Sequence, residues 1–220
     1  MPQIFRPRTN AVFRAVLIAL IGGVAAIGIA AVIFLRTSGG TGVGQVVEQP
    51  VPFSHAHHVG GLGIDCRYCH TSVTRSAFAG LPPTETCMTC HSQLWTNAEM
   101  LAPVRRSLET DTPIHWKRVN NLPDYVYFNH SIHVAKGIGC ETCHGRVDRM
   151  PLMRKHASLS MGWCLDCHRH PEQHLRPRDA VFDMSWKPPP GRDREALGRE
   201  LIAAYGIHKR QLTDCSVCHR

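Results

Sequence analysis

Ten cysteines constrain this 220-residue chain more than any other feature, because all of them belong to one repeated pattern. The pattern is Cys-x-x-Cys-His, and it begins at Cys66, Cys87, Cys140, Cys164 and Cys215. It is the attachment signal for c-type haem. Two thiols three positions apart form thioether bonds to the vinyl groups of one porphyrin, and the next residue's imidazole ligates the iron.

The sequence therefore predicts five covalently bound haem c groups. The predicted covalent ligands are Cys66, Cys69, Cys87, Cys90, Cys140, Cys143, Cys164, Cys167, Cys215 and Cys218. The predicted proximal iron ligands are His70, His91, His144, His168 and His219. No separate catalytic residue is predicted, because each motif ends in a histidine and the candidate distal ligands outnumber the haems.

Other uses of paired cysteines fit this chain less well. A four-thiolate zinc site needs two pairs per metal, so one of the five pairs would be left over. A disulfide framework would not repeat one spacing five times. A redox Cys-x-x-Cys lies near a βαβ pattern, and this sequence has no such alternation of elements.

An uncharged apolar segment at residues 15–35 predicts a transmembrane helix. Such a helix would be roughly 30 Å long, the thickness of the hydrocarbon core of a bilayer. The alternative is a cleaved signal peptide, whose apolar region would be about 7–15 residues long. The segment is longer than that, so the sequence favours a retained anchor.

Arginines flank the apolar segment unequally, and this asymmetry predicts its orientation. Arg6, Arg8 and Arg14 precede it, whereas only Arg36 follows it closely. The positive-inside rule then places residues 1–14 in the cytoplasm of a bacterium, with a single pass through its inner membrane. A Gly-rich tether at 36–52 would connect this span to a periplasmic pentahaem domain at 53–220.

The net charge of +8 does not predict nucleic-acid binding in this chain. Five haems would bring about ten propionates, which neutralise much of the positive charge and explain many arginines and lysines as their partners. The lipid bilayer and protein subunits are the expected partners.

A two-haem unit occurs twice, at residues 53–91 and 128–168. Each unit begins with Phe-[Ser/Asn]-His-x-x-His-Val and continues through a glycine to a first and then a second haem motif. The fifth motif, at 215–219, follows separately. Strand signals are sparse, so we expect short helices at the motifs joined by coil. We also expect a short helix broken by Pro103 and another over residues 194–205.

Histidines three positions apart project from one side of a helical turn, so each unit can supply two distal ligands. The segments resemble those of class III and cytochrome c7-type multihaem cytochromes, in which both histidines ligate iron. The resemblance implies distal ligation by His55, His58, His130 and His133. Met161 is the leading candidate for the fifth distal ligand and His156 is its rival. The remaining candidates are His115, His170, His174 and His208, with His57 set aside because its counterpart is Ile132.

The whole chain resembles the membrane-anchored pentahaem cytochrome c subunit of alternative complex III, a bacterial quinol-oxidising complex. The matching segments are the N-terminal span, "LPDYVYFNHSIHVAKGIGCETCHGRVDRMPLM", "LSMGWCLDCHRHPEQHLRP" and "CSVCHR". The resemblance implies an iron–sulfur protein, integral membrane subunits and a monohaem cytochrome c as partners. It also implies electron relay to a periplasmic cytochrome c or a terminal oxidase.

Two other functions remain open from the sequence. A stand-alone quinol dehydrogenase of the small membrane-anchored tetrahaem or pentahaem type would place a haem close to the span. A multihaem reductase would need an iron with a vacant distal face.

Overall fold

The computed structural model describes residues 6–219. The chain divides into two compact units, residues 1–43 and 44–220. The first contains α1 (Pro7–Arg36) and the short α2 (Ser38–Thr41). The second contains all five Cys-x-x-Cys-His motifs.

Helix α1 is longer than the predicted apolar segment, because it begins at Pro7 and not at Ala15. Proline suits this first position, where a backbone N–H has no partner within the helix. Thr37 ends the helix, and its hydroxyl donates to the carbonyl of Phe34 over 2.7 Å. By length and composition alone, the segment Arg8–Arg36 could cross a membrane.

Short helices and coil make up the second unit. Between residues 44 and 219, the only β-structure is two isolated bridges, Val46 with Arg154 and Ile138 with Leu175. The α-helices are α3 (Cys66–Cys69), α4 (Thr84–His91), α5 (Ala102–Thr110), α6 (His130–Ala135), α7 (Cys140–His144), α8 (Met161–Arg169), α9 (Arg194–Ala204) and α10 (Cys215–Cys218). A π-helix runs over Ala56–Gly61, and 3₁₀ turns lie at Glu99–Leu101, Val147–Arg149, Pro171–Gln173, Arg178–Ala180 and Lys209–Gln211. This confirms the expected fold of helix and coil.

Every haem motif lies on a helix, which explains the spacing of its cysteines. Residues three apart on an α-helix project from the same side, so α3, α4, α7, α8 and α10 each present their two thiols together. The ten thiols are free, and none is fully buried.

The buried apolar core of the described residues is small. One cluster joins Val51, Leu101 and Val104, with Met88 and Trp116 packed against it. Such a cluster lies beside α4 and α5, but it does not extend through the second unit. The porphyrins therefore have to supply much of the apolar interior, as five haems in so short a domain predict.

The interior also contains one fully buried cation, Arg176, whose exposed fraction is 0%. Its guanidinium pairs with Glu141 in the third motif and donates to the carbonyl of Asp183 over 3.0 Å. It also lies 4.9 Å from the ring centre of Trp186. Buried charges need such pairing, and here the pairing joins the segment after α8 to the third motif.

The prediction that Pro103 breaks a helix is wrong. Pro103 lies in the first turn of α5, where a proline fits without loss of a helical hydrogen bond. The predicted helix near the C-terminus is confirmed as α9, capped at its start by the Asp193 carboxylate, which accepts from the backbone N–H of Ala196 over 2.8 Å.

Candidate haem-binding site

The five motif histidines all direct ring nitrogen Nδ1 to a hydrogen-bond partner. Four partners are carbonyl oxygens, those of Gly80 for His70 (2.7 Å), Leu94 for His91 (3.1 Å), Leu212 for His168 (2.8 Å) and Tyr125 for His219 (3.1 Å). The fifth is the side-chain amide of Asn120, 3.1 Å from His144. A carbonyl accepts, so Nδ1 carries the proton and Nε2 keeps its lone pair for a metal.

Three of the four predicted distal histidines have the same arrangement. Nδ1 of His58, His130 and His133 donates to the carbonyls of Ser54 (2.9 Å), Ala77 (2.8 Å) and Asn129 (2.7 Å) respectively. His55 differs, since its Nδ1 is buried without a partner in the described residues.

A phenylalanine sets the rings of each distal pair. Phe53 meets His55 edge-on, with ring centres 4.8 Å apart, and stacks on His58 at 4.3 Å. In the second unit, Phe128 meets His130 edge-on at 4.8 Å and stacks on His133 at 4.5 Å. The repeated motif therefore folds into the same three-ring cluster twice.

Three distal histidines face a motif histidine across a gap that fits one iron. The ring centres are 6.2 Å apart for His58 and His91, 6.4 Å for His130 and His144, and 6.2 Å for His133 and His168. A metal–imidazole bond is about 2 Å long. The ring centre lies about 1 Å behind the bonded nitrogen, so two imidazoles on one iron have centres roughly 6 Å apart.

His55 lies near the first motif. Burial lowers its pKa to about 4, and the proximity of His70 lowers this pKa further than that of any other histidine. Burial likewise lowers the pKa of His144 to about 4, with His130 as the next cause. Both imidazoles are therefore neutral at physiological pH, which is the form that binds a metal.

Comparison with known proteins agrees with this geometry. Residues 126–220, which contain the second distal pair and the last three motifs, match the family of cytochrome c7 and related cytochrome c. The chain carries a cytochrome c7-like multihaem domain. Covalently bound c-type haem is its cofactor, and electron transfer is the chemistry of such domains.

A curated relative points the same way. The chain is 37% identical over 98 residues to the protein named menaquinone reductase, multiheme cytochrome c subunit, from Nitratidesulfovibrio vulgaris. The match covers 44% of this chain and 46% of the relative, so the chain spans about half the length of that protein.

The thiols of the cytochrome domain are most shielded in the second two-haem unit. Burial raises the pKa of the Cys140 and Cys143 thiols to about 12 each, and that of Cys167 to about 11. Burial also raises the thiol pKa of Cys66 and Cys87 in the first unit. These groups stay protonated at neutral pH, where a thiol is a poor nucleophile.

Contacts between motifs join them in a single series. The second and first motifs meet where the Tyr68 hydroxyl lies 2.8 Å from Oγ1 of Thr89. The first and third meet through His130, whose Nδ1 donates to Ala77, just after the first motif. The fourth and fifth meet where His168 donates to Leu212.

Electrostatic effects on pKa values follow the same neighbours. The Cys87 thiol raises the pKa of Cys69, and Cys66 raises that of Cys140. In the same way Cys167 raises the pKa of Cys143, and Cys218 raises that of Cys164. The series therefore runs from the second motif through the first, third and fourth to the fifth.

The two candidates for the fifth distal position lie in different surroundings. Met161 begins α8 one turn before Cys164, the cysteine next to Cys218, and its side chain is 62% exposed. His156 packs against Gly145, directly after His144. That third motif already faces His130, so the rival residue lies beside a pair of rings that is complete.

The sequence did not reveal the orienting role of Phe53 and Phe128, or the partner of His144. The phenylalanine was visible in the repeated pattern, where its position next to two histidines was the signal. Asn120 lies in a connecting segment without any motif, so no pattern singled it out.

Proposed function

We propose that this chain is the electron-relay subunit of a membrane quinol-oxidising complex of the alternative complex III type. The observation that carries the proposal is the set of three histidine pairs, each with room for one iron between its rings. Iron porphyrin bound at each motif supplies reversible one-electron chemistry. The residues of the chain hold, orient and space these groups.

The proposed set of haem sites pairs each distal ligand with one motif. His55 serves the motif of His70, and His58 serves that of His91. His130 and His133 serve the motifs of His144 and His168. Each phenylalanine-centred cluster thereby ties two neighbouring sites to one helical turn, which keeps their separation short and constant.

We assign Met161 to the fifth site, opposite His219. The position of Met161 on the Cys164 side of α8 supports this, because the Cys218 thiol is near Cys164. A thioether ligand raises the potential of a haem above that of sites with two histidines. The chain would then hold its most easily reduced site at one end of the series.

The order of the motifs makes the second and fifth motifs the two ends of a linear relay. Both ends have exposed side chains, since Trp95 near the second motif is 59% exposed and Tyr125 beside His219 is 64% exposed. Partner subunits would exchange electrons with the chain at these two ends, and α1 would hold it at the membrane with the haem domain in the periplasm.

Purification of the native protein in mild detergent tests this function. We expect five haems per chain in a pyridine haemochrome assay, and an iron–sulfur protein with integral membrane subunits among the co-purified chains. Menaquinol should reduce the haems of the assembled complex but not those of the isolated chain. A C215S/C218S variant is the control and should contain one haem fewer.

The relative's name favours a second candidate, in which the complex reduces menaquinone. The same relay would then run in the opposite direction, with electrons entering from a periplasmic donor. A chain that supplied electrons to menaquinone within its complex, but took none from menaquinol, would support this direction. Rapid reduction of the isolated chain by menaquinol would instead indicate a stand-alone quinol dehydrogenase.

A further inference from the structure

His144 is the motif histidine that has a side chain as its Nδ1 partner. The four other motif histidines donate to main-chain carbonyls, which no substitution can remove. The partner of His144 is the amide of Asn120, 3.1 Å away. At this site the hydrogen bond to the proximal ligand is therefore set by the choice of one amino acid.

The amide of Asn120 fits this role in only one orientation. A histidine that binds iron through Nε2 carries its proton on Nδ1 and must face an acceptor. The Asn120 oxygen, Oδ1, is buried and has no partner within residues 6–219 when the amide nitrogen faces the ring. Rotation of the amide by 180° places Oδ1 against Nδ1, which satisfies both groups.

The segment that carries Asn120 is held in place nearby. The Gln49 side chain donates to the carbonyl of Lys117 and accepts from its N–H, each over 2.9 Å. This pair of hydrogen bonds fixes the connecting chain three residues before Asn120. Asn120 is half-buried and meets His144 in the middle of the series of motifs.

We infer that Asn120 is a positioning residue that orients His144 and tunes the reduction potential of the central haem. The hydrogen bond from Nδ1 makes the imidazole a stronger electron donor, which favours ferric over ferrous iron. A stronger acceptor at this position lowers the potential, and loss of the acceptor raises it. This inference rests on the proposed binding of haem between His130 and His144.

Redox titration of the haem-loaded chain, followed by its visible spectrum, tests the inference. Asn120→Leu should raise the potential of one haem, and Asn120→Asp should lower the potential of the same haem. The expected change is up to tenfold in the equilibrium constant for reduction, or about 59 mV for one electron. The control is Asn121→Leu at the exposed neighbouring position, which should leave all five potentials unchanged.

The haem count and low-spin spectrum of the unsubstituted chain report separately on the proposed function. If those are as proposed and both Asn120 variants keep the original potentials, Asn120 is only a residue of the connecting segment and the inference is wrong. If Asn120→Leu does not fold, Asn120→Asp decides, since it keeps an oxygen at the same position. An unchanged potential in that variant would also overturn the inference.

Discussion

The two haem-pair units share a ring cluster but differ in the backbone that carries it. In both, a phenylalanine stacks on the second histidine, with ring centres 4.3 Å apart at Phe53 and 4.5 Å at Phe128. The first unit forms this cluster on a π-helix, Ala56–Gly61, and the second on an α-helix, His130–Ala135. Ring packing is therefore preserved across two kinds of helix.

One extra residue accounts for the π-helix. The segment from Phe53 to Cys66 is one residue longer than that from Phe128 to Cys140. The N–H of Ile64 donates to His58, six residues back, whereas that of Ile138 donates to His133, five residues back. A π-turn is how a helix absorbs an insertion, and such turns are frequent at functional sites.

The facing rings also differ between the units. The planes of His58 and His91 cross at 67°, whereas those of His133 and His168 lie within 26° of parallel. The local motif supplies the distal ligand in both units. The angle across the iron depends on the second motif, whose helix is placed by tertiary packing.

Removal of a distal histidine gives the largest expected effect on this comparison. His58→Ala and His133→Ala should each leave one iron five-coordinate and able to bind carbon monoxide, with one equivalent bound per chain. His57→Ala is the matched control, because His57 is exposed and its counterpart in the second unit is Ile132. Carbon monoxide titration of the ferrous protein measures the effect. No binding by either variant would remove the proposed ligand pairs.

A methyl group at Gly60 gives the next largest effect. Its Cβ would collide with the carbonyl oxygen of Asp148, which is backbone and cannot rotate away. We expect Gly60→Ala to lower the free energy of unfolding by on the order of 1–3 kcal/mol. The second unit tolerates Ala135 at the equivalent position.

The neighbouring glycine provides the control for that collision. A Cβ at Gly61 would lie 3.7 Å from the carbonyl oxygen of Ala56, an ordinary contact. Gly61→Ala should therefore be neutral, or stabilising by up to about 1 kcal/mol. Urea denaturation measures both variants, and equal losses would show that the close approach to Asp148 is not what requires glycine.

A smaller effect is expected at the residue before the first motif, where the units also differ. Asp65 caps α3 by accepting from the Arg67 N–H over 2.8 Å, whereas Gly139 occupies the equivalent position before α7. Asp65→Ala should cost about 1 kcal/mol, and Asp65→Asn less, because its amide oxygen can still accept. Denaturation curves that show no loss for Asp65→Ala would contradict this role of the cap.

The same carboxylate predicts a pH dependence. The hydrogen bond from the Arg67 side chain lowers the pKa of Asp65 below its ordinary value. Its stabilisation is therefore complete above about pH 4. It is lost as the pH falls through the lower pKa of the folded state, and Asp65→Asn should lack this part of the acid sensitivity.

The smallest effect is spectroscopic and comes from the ring angles. Crossed imidazoles leave two iron d orbitals nearly equal in energy and give a large g anisotropy, whereas near-parallel imidazoles split them. Electron paramagnetic resonance of the oxidised protein should show one signal of large anisotropy that His58→Ala removes and His133→Ala retains. The opposite assignment would reverse the ring geometry of the two units.

The sequence predicted what depends on local chemistry. Cysteine spacing predicted motif helices, and the repeated Phe-x-His-x-x-His pattern predicted rings that the structure brings opposite His91, His144 and His168. The partner of each ring could not be predicted, because it depends on how α4, α7 and α8 pack. Asn120 reaches His144 from 24 residues away in sequence, and no local pattern records such a contact.

The central claim is that the facing histidines hold iron between them, in a series running from the second motif to the fifth. A crystal structure of the haem-loaded protein, with an anomalous difference map at the iron edge, tests it most directly. The account predicts five iron peaks, with one between His58 and His91, one between His130 and His144, and one between His133 and His168. Iron peaks that lie outside these pairs, or that are fewer than five, would contradict it.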